Sequence, residues 1–103
     1  MEADLLLTAA SRLQAIRDDW EHNKQEFNAA AIYNRKLWTI FLTDVTADDC
    51  QLPIEIRQNV ANLGLFVLNH TVAISRQPHP EQLSVLININ REIAAGLQGR
   101  PMV

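Results

Sequence analysis

Few side chains in this 103-residue chain have chemistry to offer beyond packing. His22, His70 and His79 fall on three separate segments. No pair has the three- or four-residue helical spacing that would aim two imidazoles at one metal, so no metal site is expected. Cys50 stands beside Asp48 and Asp49, with no cation near it in sequence to stabilise the thiolate that nucleophilic attack requires. Asp18, Asp19 and Glu21 supply a carboxylate cluster but lack the apolar surroundings that tune such groups for acid-base work, and read as a solvated helix face. The chain has no glycine-rich phosphate loop and no Gly-x-Ser-x-Gly elbow. No catalytic residue, cofactor or metal is therefore expected, and the protein reads as a non-enzyme.

Binding chemistry is better represented. Arg35-Lys36, beside Tyr33 and Trp38, forms a basic-aromatic cluster of the kind that holds single-stranded nucleic acid. Trp38 belongs to an apolar stripe, however, which leaves Tyr33, Lys36 and Ile40 as a mixed cationic-apolar face better suited to a protein partner. A second candidate face carries Asn62, Phe66 and Asn69, an aromatic set among amides. Asn34 and Asn90 each sit at the centre of an otherwise apolar stripe. A buried amide without a partner costs about 1–3 kcal/mol, so a structural polar network joining helices is expected there.

These residues must be positioned by helices. Apolar side chains recur at helical spacing, and no strand-like alternation persists, which predicts an all-α bundle of about four helices over 3–22, 25–46, 53–76 and 80–98. Only the polar His22-Asn23-Lys24 divides the first two, and the step from Trp20 to Phe27 keeps their stripes nearly in phase. Two helices are favoured there, with one continuous helix as the alternative. The stretch Thr46 to Pro53 and the segment Gln77-Pro78-His79-Pro80 are the clearer breaks. The third helix carries Ile56, Val60, Leu63, Val67 and Ile74 on one side and Ala61, Leu65, Leu68 and Val72 on an adjacent one. Its apolar arc of about 200° is twice that of a surface helix, so it is expected to be central. Gly64 lies within that arc and costs about 1 kcal/mol against alanine, which implies a close helix-helix approach there.

Length and composition bound the rest. One domain over 1–98 with a flexible tail over 99–103 fits a chain of this size. A hydrophobic fraction of 48% excludes a disordered chain, and a net charge of −3 gives no global attraction to nucleic acid. Gln58 to Ser75 contains no charged residue. As a helix it would be about 27 Å long, near the thickness of a bilayer core, but its amides make a membrane span a poor reading. A single cysteine and an acidic N-terminus without a secretory signal suit a cytoplasmic location.

Three strings then resemble a known family: Tyr33-Asn34-Arg35-Lys36-Leu37-Trp38-Thr39-Ile40-Phe41, Pro53-Ile54-Glu55-Ile56-Arg57-Gln58-Asn59-Val60-Ala61-Asn62-Leu63-Gly64, and Leu86-Ile87-Asn88-Ile89-Asn90-Arg91-Glu92-Ile93-Ala94-Ala95-Gly96-Leu97. With Leu13-Gln14-Ala15-Ile16-Arg17-Asp18-Asp19-Trp20 they resemble the bacterial flagellar biosynthesis regulator FlaF, from about Leu5 to Gly99. The short lead segment usual in that family is expected to be missing. The resemblance implies a non-enzymatic role in producing and exporting flagellin, acting opposite FlbT, a repressor of flagellin translation. A flagellin-binding, chaperone-like activity follows, with FlbT or the flagellar export apparatus as further partners. Flagellin's amphipathic terminal helices would be covered before export. Tyr33, Lys36, Ile40, Asn62, Phe66 and Asn69 are the contact residues expected on that basis. Direct binding of flagellin mRNA is the alternative.

Overall fold

The fold is given by a computed structural model that describes residues 3–99. The helices are α1 (Ala3–Asp18), α2 (Trp20–Asn23), α3 (Phe27–Thr46), α4 (Ile54–Arg76) and α5 (Pro80–Leu97), with a 3-10 turn at Lys24–Glu26 between α2 and α3. Four are long, α2 is a single turn, and no strand occurs among the described residues. The expected all-α architecture is the one present. Of the tail expected over 99–103, only Gly99 lies within the described residues.

The first helix stops earlier than the polar His22-Asn23-Lys24 suggests. Asp19 leaves helical geometry at φ −134° and ψ 59°, and α2 with the 3-10 turn then reverses the chain. Continuity through this region is excluded by distance. Twenty-one residues of unbroken helix would set Arg12 about 31 Å from Tyr33, yet the Arg12 guanidinium lies 6.0 Å from the Tyr33 ring centroid. The corner is braced where Trp20 packs edge-on against Phe27, with ring centroids 6.1 Å apart.

The helices alternate in direction. Arg17 donates to Ser84 Oγ at 3.1 Å and Arg91 donates to Gln14, so α1 runs antiparallel to α5. This is the most extensive helix pairing in the molecule. The α3–α4 pair is closed by Arg57, whose guanidinium donates to the carbonyls of Val45 and Ala47 at 2.9 and 3.3 Å. The Val45 carbonyl lies in the last turn of α3, where carbonyls lack intrahelical donors, so one side chain caps one helix and fixes the start of the next. Pro80 opens α5 at a position where the missing N–H costs nothing. Leu6, Leu13, Trp38, Phe41, Val60, Val67, Leu83, Leu86 and Ile87 fill the core between the four long helices.

The third long helix is not central. On α4 only Val60, Gly64, Val67, Thr71 and Ile74 are buried, whereas Leu65 and Val72 are 57% and 48% exposed. The cause is the division of partners: α4 lies along α3, but α5 spends its buried face on α1 and touches α4 only loosely. The second apolar arc of α4 is left without a neighbour. Gly64 marks its close approach to α3, since a Cβ there would stand 2.7 Å from Leu42 Cδ2.

Candidate partner-binding surfaces

Two apolar surfaces, a trough beside α5 and the exposed stripe of Leu65 and Val72 on α4, and one buried polar chain are what this fold builds. The polar chain crosses the core. Trp38 Nε1 donates to Asn90 Oδ1 at 2.8 Å, and Asn90 Nδ2 donates to Asn34 Oδ1 at 2.7 Å, with all three residues fully buried. Asn34 Nδ2 has no partner within the described residues. The chain ties α3 to α5 diagonally, between helices that otherwise meet little. Trp38 as donor is a role the apolar stripe alone did not indicate; an aromatic N–H four residues from a stripe-centred amide was the available signal.

The first apolar surface is a trough at one end of the bundle. α4 and α5 are pinned at the opposite end, where His70 Nε2 lies 3.3 Å from the Gln82 carbonyl oxygen. Toward the other end a groove of about 280 Å³ lies between them, lined by Leu52, Ile56, Leu63, Ile93 and Leu97 together with Asn59 and Glu92. Leu52 and Leu97 also line a cavity of about 370 Å³ that reaches Asp44, Asp49 and Cys50. The trough is thus apolar along its floor and acidic at its margins. Phe66 continues it along α4, 46% exposed and stacked on His70 with centroids 5.2 Å apart.

The six expected contact residues do not form one patch. Tyr33 lies under Arg12 on the α1 side of α3, with Lys36 and Ile40 exposed beyond it. Phe66 lies at the opposite edge of the α3–α4 pair, beside His70 and so toward α5. Asn62 and Asn69 are exposed on the ridge of α4 between Phe66 and the stripe of Leu65 and Val72. With Trp38 buried, Tyr33 is the one aromatic of the basic cluster that reaches the surface.

The family model described as flagellar protein FlaF matches residues 1–97. The chain belongs to the FlaF family. Searches of curated proteins and of solved structures returned no match. In this FlaF-family chain no helix among the described residues is long and apolar enough to cross a membrane. No group of three or more His, Cys, Asp or Glu residues able to hold a metal occurs among them either. Cys50 is half-buried at the trough margin with acidic neighbours.

Proposed function

We propose that this FlaF-family protein binds an amphipathic helical segment of flagellin in the α4–α5 trough, acting as a chaperone that keeps flagellin unassembled until export. The observation that carries the reading is the trough itself: an open apolar floor between two loosely packed helices, into which i, i+3, i+4 and i+7 anchors of a client helix fit. Asp44, Asp49 and Glu92 at its margins favour a client whose polar flanks are basic. Of the six contact residues, Phe66 extends the trough. Tyr33, Lys36 and Ile40 form a second contact in this reading, for a different stretch of the client, because one straight helix does not reach both edges. In this scheme the protein acts in the cytoplasm without catalysis, and FlbT or the export apparatus is its further partner.

Isothermal titration of purified flagellin tests the proposal. Ile56→Glu places a charge on the trough floor and is expected to weaken flagellin binding by roughly tenfold or more, with the helical circular dichroism signal retained because Ile56 is exposed. Phe66→Ala is expected to weaken binding less, by about threefold to tenfold, also without unfolding. Added salt should weaken binding only modestly, through screening of the acidic margins. Steep salt dependence together with capture of flagellin leader RNA, and no capture of flagellin, would replace this reading with the RNA-binding one.

A further inference from the structure

Along α4, Ile54, Gln58, Ala61, Leu65, Leu68, Val72 and Ser75 follow one another at steps of four and three residues. That is the seam of a two-helix coiled coil, and it is narrow, long and uncharged. None of the seven is buried; Ile54 is 61% exposed. The flank toward α3 is already occupied. Arg57 bonds the end of α3, Gly64 abuts Leu42 and Thr71 is buried. The outer flank carries Glu55, Asn62, Asn69 and Arg76 at seven-residue intervals, with opposite charges at its two ends. Among the described residues neither Glu55 nor Arg76 makes an ion pair.

We infer that this seam pairs with the α4 of a second copy of the chain, in antiparallel orientation. Charge placement selects both the occupant and the direction. Parallel pairing would set Glu55 against Glu55 and Arg76 against Arg76, whereas antiparallel pairing centred between Leu65 and Leu68 brings Glu55 near Arg76 of the second copy at both ends. The same register sets Leu65 against Leu68 of the second copy and Ala61 against its Val72, a large-small alternation that lets the backbones approach. Asn62 then faces Asn69 of the second copy, which assigns these amides to self-association rather than to a client. One twofold axis satisfies all of these pairings, as an isologous dimer requires. The trough on the α5 side remains open in the dimer, so the inference does not depend on what the trough holds.

Sedimentation of the purified chain alone, over a range of concentrations, tests it. A concentration-dependent dimer is expected. Leu65→Glu should raise the dimer dissociation constant roughly tenfold or more, while Ile40→Glu, equally exposed on α3, should leave it unchanged. Glu55→Arg and Arg76→Glu should each weaken the dimer about twofold to fivefold, and the double reversal should restore it. A chain that stays monomeric to about 1 mM, or a dimer indifferent to Leu65→Glu, would overturn the inference. So would dimerisation weakened further by the double reversal. Loss of flagellin binding in Leu65→Glu with no dimer in the parent would assign the stripe to the client instead.

Discussion

Replacing Asn90 by leucine is expected to lower the unfolding free energy by about 2–6 kcal/mol, a large share of the roughly 5–15 kcal/mol typical of a domain. The substitution keeps the branched heavy-atom skeleton and adds rather than removes volume, so the loss arises chiefly from two orphaned groups and not from a cavity. Trp38 Nε1 loses its acceptor and Asn34 Oδ1 loses its donor, both in fully buried residues. Asn34→Leu should cost much less. It strands Asn90 Nδ2 but removes Asn34 Nδ2, which has no partner within the described residues. The double leucine variant should therefore be more stable than Asn90→Leu alone, because only the indole N–H remains orphaned. Urea denaturation of the four proteins measures this coupling. A double-variant cost equal to the sum of the two single costs would mean that the amides act independently.

Gly64→Val is expected to destabilise the protein by about 2–4 kcal/mol, through overpacking at the α3–α4 crossing. Even a single Cβ there would lie 2.7 Å from Leu42 Cδ2 and 2.8 Å from Cγ. Gly64→Ala presents the same first atom but gains about 1 kcal/mol of helix propensity, so its net cost should be smaller. Leu42→Ala supplies the space directly. The Leu42→Ala/Gly64→Ala pair should be less destabilised than the sum of the two single changes, as thermal unfolding would report. Strict additivity would show that Leu42 already moves aside without cost.

Much of this architecture is legible in the sequence because helix breaks have local causes. Pro53 and Pro80 place the starts of α4 and α5 within a residue, and the stripe from Phe27 to Val45 marks the buried face of α3. The Asp19 break was harder to see, since no glycine or proline marks it and the reversal depends on Trp20 packing against Phe27. The exposed seam of α4 was illegible for a different reason. Periodicity reports which residues are apolar, not which neighbour covers them, and Leu65 and Val72 look the same on a wheel as Val60 and Val67. Only the pairing of α5 with α1 distinguishes the two arcs. The trough was hidden likewise: Ile56, Ile93 and Leu97 have the apolar character of core positions, and it is the sparse packing of α5 on α4 that leaves them lining a groove.

The pairing of α1 with α5 also bears on how the chain matures during synthesis. Of the helices described, α1 is made before the others and packs chiefly on α5, which is made after them. α3 and α4 are joined by a short connection and can associate as soon as both have emerged. By contrast, α1 must keep Leu6, Leu13 and Ile16 from other contacts until residues 80–97 are made. Contacts between distant parts of a chain form late, because loop closure must precede them. The nascent protein thus passes through a stage in which the α3–α4 hairpin is present and the Trp38 indole still lacks Asn90. Completion of α5 supplies the amide acceptor and the cover for α1 together, so α5 acts as the latch of the bundle.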